Sequence, residues 1–453
     1  MRSIWSDEMP RIRPEKKTLP QSAEVVIIGG GMAGLLCAYL LIESGIRAII
    51  LEAEEICSGQ TRNTTAKITS QHGLIYSKLA DVFDDETAVK FGRLNERAID
   101  EYERIVRGCG IACGFRRLPS YLYTKTELGT KALESERSEA KRAGIRASFV
   151  HETELPFPIK LALKYENQAE FHPLEFLCGI IGDLEIYEHM RVIRVKGNEV
   201  ITGRGTVRAK HIIFATHYPF MNVPGFYFTK MHQERSYVLG VRVPEGSAPV
   251  QDGRDWRRLD GMYYGIDQDG LSFRSAEDVI LIGGKSHRTG EQQAQDPYKA
   301  LRKEAELIWP EYEEISTWSA QDCMTLDSLP YIGRYSKWRP NWYVATGFEK
   351  WGMTGSMAAA MVLRDMVLGK PNPYAAIVSP QRRWTKQAVC NLFREGINTV
   401  KNFVTFERPR CPHLGCRLKW NRYEHVWECP CHGSRFHESG KILDNPAQKD
   451  LKR

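Results

Sequence analysis

The chain has 453 residues, of which 42% are hydrophobic and 26% charged, a composition that excludes large-scale disorder and allows two or three cores. Its formal charge of +7 is scattered without a long Lys/Arg block, so a nucleic-acid partner is not expected. Val25 to Ile42 carries no charge, but Gly29, Gly30, Gly31 and Gly34 interrupt it and no small-residue cleavage site follows. Neither a signal anchor nor a transmembrane span is expected, and the expected compartment is the cytoplasm.

Glu24 to Ile28 is apolar and β-branched and predicts a buried parallel strand, and Met32 to Ser44 predicts a helix. The turn between them, Gly29-Gly30-Gly31-Met32-Ala33-Gly34, fits GxGxxG. Gly29 permits the tight turn, Gly31 lets backbone approach a pyrophosphate, and Gly34 lets helix and strand pack closely. The helix N-terminus then faces the phosphates. A second strand, Arg47 to Leu51, ends in Glu52, whose carboxylate suits a ribose diol. NAD and FAD both fit this unit. The polar Thr-rich segment that follows, Gly59 to Gly73, is too long for a simple βα loop and looks like a flavin-contacting loop.

With this segment the sequence resembles the D-amino-acid oxidase-like superfamily of FAD enzymes, the glycine and sarcosine oxidases, from about residue 20 to about residue 372. Two further stretches carry the resemblance: HIIFATHYP at His211 to Pro219, and DSLPYIGRY with NWYVATGFEKWGMTGSMAAAMVLRDMVLG between Asp327 and Gly369. By composition Trp342 to Thr346 is a strand, Gly347 to Gly352 a tight loop, and Met353 to Leu368 a helix stopped by Gly369 and Pro371. In the family this helix points its positive end at the flavin pyrimidine.

The resemblance implies an α/β, Rossmann-like, discontinuous FAD-binding domain (1–90, 164–219 and 324–372) and an α+β substrate domain with an antiparallel sheet (91–163 and 220–323). A linker and helix (373–401, with the helix at Gln381 to Lys401) and a small all-β module (402–453) follow. The implied FAD contacts are Gly29, Gly31, Met32, Ala33, Gly34, Glu52, Ala53, Thr61, Thr64, Thr65, Ala66, Lys67, Val192, Ala215, Thr216, Asp327, Gly333, Gly347, Gly352, Met353 and Thr354. Lys67, His72, Lys350 and Trp351 fall in segments that the family places around the isoalloxazine. In the alternating stretches Met262-Tyr263-Tyr264 and Leu271-Ser272-Phe273-Arg274, Arg274 is a candidate for binding a substrate carboxylate, with Tyr263 or Tyr264 assisting.

Seven of the eleven cysteines are dispersed, as reduced thiols are, but Cys411, Cys416, Cys429 and Cys431 crowd into twenty-one positions. The chain reads CPHLGC from Cys411 and CPCHGSRF from Cys429. Cys411 with His413, and Cys429 with His432, supply two thiolates and two imidazoles, the ligand set of a Rieske [2Fe-2S] centre. Pro412, Gly415, Pro430 and Gly433 suit the tight loops that present them. A Cys₂His₂ zinc site uses the same residues, but the single spacer between Cys411 and His413 is short for one. The module resembles Rieske proteins of the cytochrome bc type. In that family the cysteines matching Cys416 and Cys431 form a disulfide between the cluster loops, and a Tyr stands where this chain has Phe436. Ser434 remains as a sulfur-directed hydroxyl, so a lower potential is expected. Asn445-Pro446-Ala447 resembles the loop that covers the cluster, with Asn445 in the usual Gly place.

The expected activity is oxidation of a small amine or amino acid by hydride transfer to FAD, with electrons passing singly to the cluster and on to an external protein or quinone. Alternatives are an oxygen-using flavin amine oxidase with a structural cluster, and a non-catalytic redox sensor or RNA-modifying flavoprotein.

Overall fold

The computed structural model describes residues 2–6, 18–246, 257–403 and 409–452. Parts of the expected units at 7–17, 247–256 and 404–408 lie outside the described residues. An eight-stranded sheet has at its centre Ser22–Ile28, with Ala48–Leu51 and Glu185–Tyr187 on one side and Gly205–Phe214, Arg339–Thr346 and Tyr331–Ser336 on the other. Every pairing along this path is parallel except the last, where Tyr331 meets Thr346 antiparallel. Val25 to Ile28 are covered on both sheet faces, which explains why they read as a continuous apolar run instead of alternating. On one face lie the nucleotide helix Met32–Glu43 and the flavin helix Gly352–Val367, packed together through Leu35, Leu36, Leu40, Met357 and Val362. Both are apolar nearly all round because both are enclosed.

A nine-stranded sheet, mostly antiparallel, stands against the first. Its path runs Glu313–Thr325, Met231–Arg242, Val279–Arg288, Ser272–Ala276, Met262–Gly265, Arg116–Thr124, Leu161–Glu170, Lys67–Ile68. Several elements cross the boundaries expected from sequence. Lys67–Ile68, from the Thr-rich loop, pairs with Glu170 and Ala169 as the edge of this second sheet. Leu161–Glu170 and Glu313–Thr325 run past 163 and 323. The helix Asp85–Cys109, N-capped by Asp84, buries Leu94, Ile99 and Tyr102 in the flavin-helix core and Ala88 and Phe91 in that of the second sheet. One helix long enough to span both cores leaves no break at 90.

The C-terminal module is a four-stranded antiparallel sheet, Lys419–Asn421, Val426–Glu428, Arg435–His437 and Ile442–Asp444. Its own core is small, comprising Cys411, Cys416, Leu418, Cys429, Cys431, Phe436 and Ala447, too few residues to stand without support. The preceding helix runs Lys386–Phe403, starting later than expected. Arg382 instead turns inward to a buried ion pair with Asp327 (2.5 Å) that fixes the linker to the flavin unit.

Candidate active site and metal centre

The parallel strands end around a cavity of about 1360 Å³, larger than the ~300–1,000 Å³ of an ordinary small-molecule site. Gly29, Glu52, Thr216 and Gly347, each just beyond a strand's carboxyl end, line it, the usual place for a ligand in an open α/β sheet. A β-carbon on Gly29 would come 2.5 Å from the Ala215 carbonyl oxygen, and one on Gly34 would come 1.9 Å from that of Gly29. Gly31 faces the cavity, with only Thr61 Oγ1 within 3.2 Å of such a carbon. Backbone can therefore meet a pyrophosphate at Gly31 and at the helix N-terminus, where Thr61 Oγ1 already accepts from the Met32 N–H (2.9 Å). The half-buried Glu52 carboxylate accepts from the Gly30 N–H (2.6 Å) and Glu54 N–H (2.9 Å). Burial raises its pKa. The size, the bare turn and the acid suit a dinucleotide such as FAD.

Most expected cofactor contacts line this cavity: Gly29, Gly31, Met32, Ala33, Glu52, Ala53, Thr61, Thr64, Thr65, Lys67, Val192, Ala215, Thr216, Gly347, Gly352 and Met353. Five others act behind it. Gly34 is a packing residue, and Ala66 takes a left-handed turn (φ 56). Thr354 Oγ1 accepts from the Thr69 N–H and donates to its carbonyl (both 2.9 Å), tying loop to helix. Asp327 belongs to Arg382, and Gly333 lies against Pro380.

The substrate expectation needs correction at two residues. Arg274 is 3% exposed and spends its guanidinium on the carbonyls of Thr65 (2.8 Å) and Ala66 (2.7 Å) and on Glu170 (3.2 Å). It holds the Thr-rich loop in shape and does not reach the cavity. Tyr263 is buried too, stacked on Tyr121 and donating to Glu154 (3.0 Å). Side chains alternate along a strand, so its neighbour Tyr264 faces the cavity instead.

Lys67, His72, Tyr264, Lys350 and Trp351 do line the cavity. His72 stacks on Trp351 (4.8 Å), and burial pulls its pKa to about 3, making it a neutral aromatic wall. Lys67 donates to the Tyr263 carbonyl (3.0 Å) and to Ser272 Oγ. Burial and then the charge of Arg274 bring its pKa to about 7. Lys350 pairs with Glu234 (3.2 Å). Asp322, which sequence reading missed, lines the same wall beside Ser236, and its surroundings push its pKa to about 7 through desolvation. An acid in an ordinary-looking strand leaves no motif.

The C-terminal loops bring Cys411, His413, Cys429 and His432 into one cluster. The imidazoles stand edge to face with centroids 5.0 Å apart, and the Cys416, Cys429 and Cys431 sulfurs lie within 4.8 Å of one another. Both His413 Nδ1 and His432 Nδ1 are buried with no hydrogen-bond partner, a costly arrangement unless a metal takes the lone pairs. At the far side of the first ring, His413 Nε2 donates to Asn222 Oδ1 (2.8 Å), which leaves the Nδ1 lone pair available to a metal. Two unpaired imidazole nitrogens beside clustered thiols suit a Rieske cluster. Cys416 and Cys431, the pair that the resemblance implies as a bridge between the cluster loops, have their sulfurs within 4.8 Å of each other.

The two sites adjoin. Asp444 and Asn445 of the C-terminal module line the flavin cavity directly. Asn445 Nδ2 donates to the carbonyls of Thr216 (2.6 Å) and Tyr218 (2.7 Å), a use for this side chain that glycine lacks. Gln321, itself a cavity residue, donates to the Gly433 carbonyl and to Gln233 Oε1 (both 2.7 Å), and Gln233 Nε2 donates to the His432 carbonyl (2.7 Å). Buried Arg235 grips Glu424 (2.7 Å), and Arg288 donates to the carbonyls of Pro430 (3.0 Å) and Cys431 (3.2 Å).

The comparisons agree with this geometry. The FAD dependent oxidoreductase (DAO) family model matches residues 24–366 and the Rieske [2Fe-2S] domain model residues 389–453. The Rieske 2Fe-2S iron-sulfur protein YhfW of Bacillus subtilis is 33% identical, over 95% of this chain and 92% of its own length. L-proline dehydrogenase from P. horikoshii superposes with a TM-score of 0.66 at 18% identity, over 80% of this chain and 98% of its own. Glycine oxidase from Geobacillus kaustophilus gives 0.66 at 18% identity, over 81% and 100%. The chain belongs to the DAO family of FAD-dependent oxidoreductases and carries at its C-terminus a Rieske domain that binds a [2Fe-2S] cluster.

Proposed function

We propose that the chain is a dehydrogenase that oxidises a small amine or amino acid at FAD and sends the electrons through its own cluster to an external protein or quinone. In this reading Cys411, Cys429, His413 and His432 ligate the cluster. FAD supplies a two-electron acceptor and the cluster a one-electron carrier. The observation that carries the reading is Gln321, one side chain that both lines the flavin cavity and hydrogen-bonds the loop bearing His432. A cluster serving only to fold a tail has no need of that adjacency.

The cavity-facing residues divide the work. Neutral His72, Trp351 and Tyr264 form an apolar wall that excludes water from the reacting carbon. Asp322, ionised above pH of about 7, holds or deprotonates the substrate nitrogen. Lys67 and Lys350 set positive charge at the cavity wall, where burial works against the Lys350 charge but Glu234, Tyr264 and Asp322 together outweigh it and raise its pKa. Arg274 and Thr354 hold the loop that carries Lys67.

The test is an anaerobic screen of amines and amino acids with the purified holoprotein, following flavin bleaching and then the cluster by EPR. Bleaching followed by a reduced-cluster signal is expected. Bleaching with an oxidised cluster that oxygen alone reverses would mean an oxidase, and no bleaching with any amine a sensor or RNA-modifying flavoprotein.

A further inference from the structure

The helix Lys386–Phe403 is turned inside out. The side it presents to the protein is polar: Asn391 donates to the Leu326 carbonyl (2.8 Å), Asn398 to that of Pro430 (3.3 Å), and Glu395 pairs with Arg288 (2.5 Å). Ala388 is its one buried apolar residue. The opposite side carries Val389, Phe393, Ile397, Val400 and Phe403 to solvent, with Phe393 68% and Val400 61% exposed. Their spacing of four, four, three and three residues is that of one helical face. An ordinary surface helix buries such a stripe and exposes its asparagines. A contiguous apolar face left outside marks an interaction site.

Charge selects among the occupants. The exposed charged residues along this stretch are Arg383, Lys386, Arg394 and Lys401, all basic, and the helix's one acid, Glu395, is turned inward to Arg288. Two copies laid face to face would oppose lysines and arginines with no acid between them, which disfavours self-pairing. An anionic lipid surface matches both features, since it takes the apolar stripe below the headgroups and the basic residues among them. Trp384, 47% exposed just before the helix, is an aromatic of the kind enriched at such interfaces. No described helix is long and apolar enough to cross a membrane, so contact of this sort is peripheral.

We propose that the Lys386–Phe403 helix docks the protein on an anionic membrane surface, with Phe393, Ile397 and Val400 inserted and Arg394 and Lys401 on the headgroups. The stripe ends at the cluster. A β-carbon on Gly415, in the loop between Cys411 and Cys416, would touch the Phe403 ring at 3.5 Å. The docked face therefore brings the cluster loop to the lipid, and a lipid-dissolved electron acceptor follows from it only together with the function proposed above.

The experiment is flotation of the full-length holoprotein with phosphatidylglycerol/phosphatidylcholine vesicles, with pure phosphatidylcholine vesicles beside them. Binding to the anionic vesicles, weakened by salt, is expected, with loss of binding in the double variant Phe393→Glu and Ile397→Glu. The double variant Arg394→Glu and Lys401→Glu should lose the preference for anionic lipid while keeping the apolar stripe. Leu307→Glu, a swap at a 73% exposed leucine on another helix, should float like the parent. Flavin and cluster spectra identify any variant that fails to fold. Equal flotation of parent and both double variants, or no flotation of the parent, overturns the proposal. So does a dimer in the parent that Phe393→Glu and Ile397→Glu dissociates, which would assign the face to a second copy. Each readout is independent of turnover, so a failure here is separate from a failure of the amine screen.

Discussion

The two cofactor sites are built on opposite plans. The flavin cavity draws on segments from residue 28 to residue 448 and offers its ligand mainly backbone and shape. The proposed cluster site is four side chains from two short loops in a module whose core comprises seven buried residues. A dispersed site on a large scaffold tolerates the loss of most single contacts. A compact one does not, and the cluster module makes up for its small core by holding on to the sheet beneath.

The sharpest way to break this contrast is to remove one ligand. His413→Ala should abolish the cluster, read as lost iron and a lost EPR signal, while FAD stays bound. If FAD is lost with it, the sites are one cooperative unit and the contrast fails. Next in size is the grip between module and sheet. Arg235 is 1% exposed and clamps Glu424. Arg235→Ala should cost about 3 kcal/mol, the lower end for breaking a buried pair, because Arg435 still reaches Glu424 (2.8 Å). Thermal melts followed at the cluster absorbance should drop before those followed at the flavin.

Gln321→Leu addresses the adjacency itself. It removes the hydrogen bonds to Gly433 and Gln233 and strands buried acceptors at about 1–3 kcal/mol. In stopped-flow, flavin bleaching by substrate should keep its rate while cluster reduction slows. If cluster reduction keeps its rate, Gln321 only fastens the module.

How much of this the sequence revealed follows from the same contrast. The proposed cluster ligands stood out as a set because metal chemistry fixes residue type and the tight loops fix spacing. The dinucleotide turn was legible because Gly29 and Gly34 have no room for a side chain. Tyr263 and Arg274 were misplaced because period-two alternation does not say which face points inward, and Tyr264 took the place of Tyr263. Gln233, Gln321 and Asp322 carry no local signature. Their roles arise from pairing between two strands distant along the chain, in register at Gln233↔Cys323, Glu234↔Asp322 and Arg235↔Gln321. The inverted helix was legible as a helix but not as inverted, since amphipathic spacing is the same whichever side is buried.

A smaller effect separates the two titrating groups of the cavity. Asp322, raised by burial to about 7, is protonated below that pH and ionised above it. Lys67, lowered by burial to about 7, loses its proton over the same range. Flavin reduction by an amine should therefore rise as Asp322 ionises and fall as Lys67 loses the positive charge it sets at the cavity wall, a narrow bell centred near pH of about 7. Asp322→Asn should remove the rising limb and leave only the fall from Lys67, at a lower maximum. A rising limb that survives the substitution would remove Asp322 from the reaction.

The smallest shift tests the cluster's surroundings. Phe436 is fully buried in the module core, on the strand that follows Ser434, whose hydroxyl accepts from the Ala447 N–H (3.0 Å). A tyrosine there supplies a hydroxyl in the same core. If it reaches a ligand sulfur, it stabilises the more electron-rich reduced cluster. A differential hydrogen bond of about 1 kcal/mol is about 40 mV for one electron. Phe436→Tyr should therefore raise the midpoint in a potentiometric titration by tens of millivolts, with the flavin midpoint unmoved. An unchanged cluster midpoint would show that the missing hydroxyl does not set the potential, leaving burial and the two imidazoles as the determinants.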